Sequence, residues 1–198
     1  MVERQLRRRG IEDERVLAAM SEVPRELFLP ESARREAYRD GAVGIDEGQT
    51  MSQPWIVACM TALLELRGPE TVLEVGTGSG YGAAVLSRCA ARVISIERYP
   101  KLAEQARTTL ASLGYENVEV RVGNGMDGAP DAAPFGGVSV TATAEEEPPA
   151  ALLDQRAPGA ALVCPVRREG RELLYRFRGG QAEPIVPVRF VPLVGDDR

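Results

Sequence analysis

Between residues 72 and 81 the chain reads Val-Leu-Glu-Val-Gly-Thr-Gly-Ser-Gly-Tyr. The apolar run Val72 to Val75 predicts a buried parallel strand, and Tyr81-Gly-Ala-Ala-Val-Leu-Ser has helical spacing. Glycines at such a strand-to-helix turn let the backbone bend sharply and approach a ligand with no Cβ in the way. The next apolar run, Arg92 to Glu97, ends on a carboxylate about 20 residues past the glycines, where an acid can accept from both hydroxyls of a ribose. The chemistry these residues suit is nucleoside binding in a βαβ unit.

The spacing selects the nucleoside. Dinucleotide folds use G-x-G-x-x-G/A, so that the helix packs closely and its N-terminus meets a pyrophosphate. Here the third glycine falls one residue early, at Gly80, and the position that spacing requires holds the bulky Tyr81. The strand also carries an acid, Glu74, just before the glycines. S-adenosylmethionine has no pyrophosphate to cradle, but its ammonium and sulfonium centres favour nearby carboxylates. These residues favour an S-adenosylmethionine site over a dinucleotide site, and both over a glycine turn that binds nothing.

The chain contains no histidine. That removes Ser-His-Asp and Cys-His nucleophilic mechanisms and the usual neutral-pH general base. It also argues against a nitrogen-ligated metal, and no metal site is expected. Chemistry must work with carboxylates, hydroxyls and positioning, a restriction that methyl transfer to an already ionised oxygen satisfies. Cys59, Cys89 and Cys164 stand far apart among apolar neighbours with no CxxC, and read as reduced, buried thiols.

The elements that must position these residues follow from periodicity. Helices are expected over 2–9 and 12–20 around Gly10, a helical turn over 31–38, and a turn-rich segment from Asp40 to Thr50. A helix over 54–66 carries Pro54 in its first turn. Strand and helix then alternate: strand 71–75, helix 80–89, strand 92–96, helix 99–113, strand 118–122, strand 137–141, helix 148–154 and strand 160–165. This predicts an α/β fold, a doubly wound and mostly parallel sheet binding its ligand at the carboxyl ends of the strands, which with an S-adenosylmethionine site would be the Rossmann-like class I methyltransferase arrangement. Two further strands, Glu172 to Arg178 and Ile185 to Val191, joined at Gly179-Gly180, predict an antiparallel hairpin at the sheet edge. With 198 residues, 44% of them hydrophobic, one domain over 1–198 is expected. Residues 1–66 form an N-terminal helical, substrate-side extension and 67–198 the cofactor-binding core. A net charge of −5 offers no general attraction to nucleic acid or anionic membrane. Arg7-Arg8-Arg9 reads as a solvated helix face. No run of apolar residues approaches a membrane span, so a cytoplasmic location is expected.

Nearly the whole chain resembles the protein-L-isoaspartate O-methyltransferase family. The resemblance rests on Met1-Val-Glu-Arg-Gln-Leu, Val23-Pro-Arg-Glu-Leu-Phe-Leu-Pro, Gly48-Gln-Thr-Met-Ser-Gln-Pro, Leu73-Glu-Val-Gly-Thr-Gly-Ser-Gly-Tyr and Val188-Arg-Phe-Val-Pro-Leu. The Gly-Gln-Thr-x-Ser-x-Pro element is the most specific of these. The resemblance implies methyl transfer from S-adenosylmethionine, leaving S-adenosylhomocysteine, to the α-carboxylate of an isoaspartyl residue in a damaged protein or peptide. It implies Ser52 as the active-site residue, with Thr50 beside it. An acceptor carboxylate ionised at pH 7 needs no base, so the task is to align oxygen, methyl carbon and sulfur. Spacing alone also allows Ser52 to be no more than a helix cap before Pro54. For the cofactor, the resemblance places Gly76, Thr77, Gly78 and Ser79 around the methionine moiety and Glu97 on the ribose. Glu74 and Gly80 complete that turn, Asn124 and Gly125 lie at the adenine, and Thr141 ends the next strand. Asn124 stands where the family usually has an aspartate, and keeps an acceptor oxygen without the charge.

Other departures bear on the acceptor. Before Gly-Gln-Thr, where the family commonly reads Pro-Leu-Pro-Ile-Gly, this chain has Ala42-Val43-Gly44-Ile45-Asp46-Glu47; the acids Asp46 and Glu47 either point outward or mark a changed substrate. Gly136 replaces an aspartate, Glu145-Glu146-Glu147 crowds the end of a strand, and Val194 replaces a threonine. The alternatives are therefore carboxyl methylation of an aspartate in a dedicated peptide during natural-product biosynthesis, or a degenerate protein that binds cofactor without turnover. Base methylation of nucleic acid would need a polar residue, two prolines and an aromatic ring after the fourth strand, where this chain has Thr141-Ala142-Thr143-Ala144. The expected partner is an isoaspartyl protein or peptide, met by a monomer with no nucleic acid and no membrane.

Overall fold

The computed structural model describes residues 1–195. Its N-terminal layer begins with a π turn over Val2–Leu6 that tightens into a 3-10 turn at Arg7–Arg9. The one long helix expected over 2–9 is thus two short turns, ended by Gly10 in a left-handed conformation that favours glycine. Helix α1, Glu14–Glu22, starts later than the spacing predicted because Asp13 caps it, accepting from the backbone N–H of Arg15 and Val16. The segment 40–51 contains a two-rung hairpin, β1 (Val43–Gly44) on β2 (Thr50–Met51), within the stretch expected to be turns alone. Helix α2, Pro54–Leu63, follows.

The core then alternates as expected: β3 (Thr71–Val75), α3 (Tyr81–Cys89), β4 (Arg92–Glu97), α4 (Pro100–Ser112), β5 (Val118–Val122) and β6 (Phe135–Val140). A short β7 (Ala144–Glu145), α5 (Ala150–Asp154), β8 (Arg156–Arg168), β9 (Arg171–Arg178) and β10 (Gln181–Pro187) complete the chain. The sheet order is β10-β9-β8-β6-β3-β4-β5, parallel from β5 to β8 and antiparallel at β9 and β10, with β7 beside the far end of β8. The order in which strands are added reverses at β3: β4 and β5 lie to one side and β6 to the other. The crevice outside the carboxyl ends of β3 and β6 is therefore the topological switch point.

The two-residue period of the strands divides the core between the sheet faces. Val72 and Val93 join one cluster with Leu6, Met20 and Ala83, while Leu73, Val75, Ile94 and Ile96 join the other with Phe135 and Leu152. Leu73 is fully buried, and truncating such a side chain to alanine costs about 2–5 kcal/mol. The same period places Glu74 on the Val72 face, under α3.

The C-terminal hairpin turns at Gly179-Gly180, both with positive φ, the two-residue turn whose twist matches paired strands. This lets β10 begin at Gln181, four residues before the expected start. Pro184 and Pro187 lie in this edge strand, where a missing N–H is tolerated. Residues 188–194 leave the edge and cross the switch point. The Thr143 N–H donates to the Val191 carbonyl (2.8 Å) and the Leu193 N–H to the Thr143 carbonyl (2.8 Å). Among the described residues no helix is long and apolar enough to cross a membrane.

Candidate active site

The turn after β3 is shaped by what stands next to it. Gly76 has φ +96°, and a Cβ there would run into the Thr141 hydroxyl, so the residue must be glycine on two counts. Thr141, at the end of β6, donates its hydroxyl to the Gly76 carbonyl (2.8 Å) and its N–H to the Val75 carbonyl (2.9 Å). The two strand ends that flank the switch point are thereby tied together. Gly80, also in the left-handed region, is the N-cap from which α3 departs.

Glu97, at the end of β4, is held as a fixed acceptor. One carboxylate oxygen takes the Gly78 N–H (2.8 Å) and the other the Tyr99 N–H (3.0 Å), and the residue is buried at the cleft wall. Charge-assisted bonds of this kind fix orientation and leave the remaining lone pairs for a ligand. Glu74 lies deeper. Its carboxyl meets the Ser95 hydroxyl (2.5 Å), which in turn meets the Thr77 hydroxyl (2.6 Å). Burial pushes the Glu74 carboxyl up to about 8, the Ser95 hydrogen bond works against that rise, and the charge of Glu97 adds to it. A Cβ on Gly82 would collide with the other Glu74 oxygen, so the second residue of α3 is kept bare to leave room for the acid.

These groups line two connected clefts. The first, about 590 Å³, is bounded by Gly76, Gly78, Glu97, Tyr99, Gly125 and Thr141, with Val191 to Val194 across its top. The second, about 480 Å³, holds Thr50, Ser52, Glu74, Thr77 and Ser79. Gly125 is another bare position, since a Cβ there would strike Val75. A third cleft opens on the outer side of Thr50 and Ser52, lined also by Ala42, Gln53, Ile56 and Arg189. Thr50 and Ser52 belong to both sides, so they form the partition between an inner groove and an outer one.

Ser52 is not the helix cap. Gln53 occupies the N-cap of α2 and no side chain bonds the first-turn N–H groups. Asn124 directly precedes Gly125, which lines the first cleft. Its side-chain oxygen accepts from the Met126 N–H (3.0 Å), the local turn that asparagine favours. Asp46 and Glu47 turn away from both clefts. Asp46 meets Lys101 (2.9 Å) and Gln105 (3.0 Å) on α4, with Glu47 4.0 Å from Lys101, and these contacts lower the Asp46 carboxyl and raise the Lys101 ammonium. Gly136 is bare because a side chain there would collide with Glu70, whose carboxylate takes the Arg67 and Gly68 N–H groups. The three glutamates after β7 meet β8: Arg167 pairs with Glu145, and Arg168 pairs with Glu147 and donates to the Glu146 carbonyl. Arg7 pairs with Glu3 and Glu14, and Arg9 pairs with Asp40 and lies over Trp55, the solvated face expected of that basic run. The three cysteines are buried and free, and burial pushes their thiols up to about 11, 11 and 12 for Cys59, Cys89 and Cys164.

Sequence reasoning passed over three side chains that shape this site. Ser95 links Glu74 to Thr77. Glu172 accepts from the Thr143 hydroxyl (2.7 Å) and the Phe190 N–H (2.6 Å), anchoring the crossing segment. Arg25 donates to the Ser52 carbonyl (2.7 Å). Ser95 had a readable signal, a polar residue inside an apolar strand beside another that carries Glu74. Glu172 and Arg25 act across long sequence separations and had none.

A doubly wound sheet with glycine-turn, strand-end acid and cleft at the switch point defines a class I S-adenosylmethionine-dependent methyltransferase. The sequence model of the protein-L-isoaspartate(D-aspartate) O-methyltransferase family matches residues 1–198, and the chain belongs to that family. A protein-L-isoaspartate O-methyltransferase of Methanoculleus marisnigri is 51% identical over 199 residues, covering 98% of this chain and 90% of its own. Another, from Marinobacter nauticus, is 51% identical over 203 residues, covering 100% and 92%. Among solved structures, a protein-L-isoaspartate O-methyltransferase superposes with TM-score 0.87 at 29% identity, covering 99% of this chain and 67% of that one. A Plasmodium falciparum chain described as such an enzyme, solved with S-adenosyl-L-homocysteine, gives TM-score 0.83 at 25% identity, covering 96% and 95%.

Proposed function

We propose that this protein methylates the α-carboxylate of L-isoaspartyl residues in damaged proteins, the first step of their return to aspartate through a succinimide. Family membership carries the reaction class. The observation that carries the site is the position of Thr50 and Ser52, on the wall between the glycine-turn groove and an open outer cleft. S-adenosylmethionine, when bound, supplies a methyl group on a sulfonium that the acceptor oxygen takes by in-line displacement, leaving S-adenosylhomocysteine and a methyl ester.

The residues suit that cofactor. Glu97 accepts from the ribose hydroxyls, its two oxygens already aimed by Gly78 and Tyr99. Gly76 and Gly125 keep the floor bare where the nucleoside lies, and Gly78, Gly80, Thr77 and Ser79 wrap the methionine end. Glu74, on the floor of that end, balances the ammonium. Thr141 holds the turn rather than the ligand. Asn124 acts by shaping the turn at Gly125, not by a contact of its side chain with adenine. On the outer side the Ser52 hydroxyl, with Thr50, holds one oxygen of the acceptor carboxylate and aims the other. Neither has to remove a proton, consistent with a chain lacking histidine.

Arg189 is the single charged residue bounding the outer cleft among the described residues, and its sign suits an anionic acceptor. The ties of Asp46 and Glu47 to Lys101 remove the reason to expect an altered substrate, and favour general repair over a dedicated peptide. The net charge of −5 favours proteins over nucleic acids as partners, and we take the protein to act as a cytoplasmic monomer. The test is incubation with S-adenosylmethionine and a peptide in isoaspartyl and aspartyl forms. Base-labile methyl ester should form on the isoaspartyl peptide alone; equal labelling of both, or of neither, would refute the assignment.

A further inference from the structure

The largest fully buried side chain among the described residues is a charged one. Arg25, first residue of a 3-10 turn over Arg25–Phe28, has no exposed surface. Its Nε donates to the Ala37 carbonyl (2.6 Å), its Nη2 to the Ser52 carbonyl (2.7 Å), and its guanidinium lies 4.7 Å from the centre of the Tyr81 ring. Its Nη1 is sealed from solvent and has no acceptor. The ionisable side chains that act on it are Tyr81 and Tyr38, both neutral at pH 7, and no carboxylate among the described residues pairs with it.

Such an arrangement is costly. A guanidinium does not shed its proton, and an unneutralised buried charge is among the most unfavourable groups a protein can hold. The arginine ion pairs among the described residues, by contrast, lie in partly or fully exposed positions, as with Arg7, Arg9 and Arg121. Packing alone would be served by an apolar side chain of the same length. What the arginine adds is a rigid fork joining residue 37 to the peptide of Ser52, and a positive charge behind that residue in a medium of low dielectric.

We propose that Arg25 is a positioning residue for the acceptor. Its fork fixes the Ser52 peptide and hence the direction of the Ser52 hydroxyl, and its uncompensated charge makes the outer cleft select an ionised carboxylate. This rests on the reading of Ser52 as the residue that holds the acceptor. Favouring the carboxylate in the ground state acts on acceptor binding, whereas aiming the hydroxyl acts on turnover, so the two contributions separate in KM and kcat.

The experiment uses the wild-type enzyme, Arg25→Met and Arg25→Lys. For each, kcat and KM are measured with an isoaspartyl peptide, inhibition with the same peptide carrying an α-carboxamide, and S-adenosylhomocysteine affinity by calorimetry. Arg25→Met should raise KM for the peptide about tenfold or more and erase the preference for carboxylate over carboxamide, with homocysteine-product affinity within about twofold of wild type. Arg25→Lys keeps the charge and loses the fork; it should keep the preference and lower kcat about tenfold. A preference unchanged in Arg25→Met, or cofactor-product affinity lost in step with peptide affinity, would reduce the residue to packing and overturn the proposal. Should Arg25→Met fail to fold, an Arg25→Lys enzyme with wild-type kcat overturns it equally. A wild-type enzyme that does not methylate the isoaspartyl peptide would instead refute the functional reading on which the inference rests.

Discussion

At the scale of single residues, the site is set by groups whose alternatives are sterically or electrostatically closed. Gly76 cannot carry a side chain without displacing Thr141 and cannot readily hold its φ of +96° as another residue. Gly76→Ala should therefore cost about 1–3 kcal/mol of stability and weaken S-adenosylhomocysteine binding about tenfold or more, read by melting and calorimetry on one sample. Glu97→Ala would orphan the Gly78 and Tyr99 N–H groups and remove the proposed ribose contact. A loss of about 10- to 100-fold in product affinity with the sheet intact is expected; affinity within twofold of wild type would remove Glu97 from the site. Most of these residues were legible in the sequence because their chemistry is local: glycines before a helix, an acid at a strand end. Asn124 shows where that reading stops. Its side-chain oxygen accepts from the Met126 N–H two residues on, a local turn that the position alone does not announce.

At the scale of elements, the sequence disclosed the alternation of β3 to β6 with their helices almost to the residue, since buried parallel strands read as apolar runs between glycines. It did not disclose β1 and β2, whose pairing depends on Val43 facing Met51 across a turn, or the extent of β8, whose flanking arginines look exposed until β9 and β7 pair with it. The segment 45–49 borders the cleft through Gln49, with the Ile45 side chain 3.5 Å from where a Cβ on Gly78 would stand and Asp46 fastened to Lys101 and Gln105 on α4. This exposed latch is individually weak. Lys101→Glu should speed dissociation of S-adenosylhomocysteine severalfold in stopped flow and leave the melting temperature nearly unchanged; an unaltered off-rate would mean the loop closes without it. Glu172 is the stronger tie, because its carboxylate joins Thr143, Phe190 and Arg167. Glu172→Ala should loosen residues 188–194, detectable as faster amide exchange at Phe190 and Leu193 together with weaker cofactor binding.

At the scale of the whole molecule, a buried acid links folding, cofactor and pH. Glu74 titrates near 4.5 in the unfolded chain and near 8 in the fold, so between those values the native protein holds a proton that the unfolded chain has lost. Stability of the cofactor-free protein must then fall as pH rises from about 5 to 8, and Glu74→Gln, which cannot titrate, should flatten that decline. Parallel curves for the two proteins would contradict the assignment. The cationic methionine end favours the ionised acid, so binding should release a proton, visible as a dependence of calorimetric heat on buffer ionisation enthalpy that Glu74→Gln abolishes. None of this could be read from sequence, which marks Glu74 as an acid near glycines but not as one enclosed by Ser95, Gly82 and α3.

In the proposed reaction Ser52, on the wall between the two grooves, aligns an isoaspartyl carboxylate with the methyl donor and does nothing for the donor itself. The direct test is single-turnover transfer of labelled methyl to an isoaspartyl peptide by wild type and Ser52→Ala, with S-adenosylhomocysteine affinity measured on the same preparations. A transfer rate at least about tenfold slower in Ser52→Ala, at unchanged affinity, is the predicted result. Equal transfer rates, or a rate lost only in proportion to affinity, would contradict it.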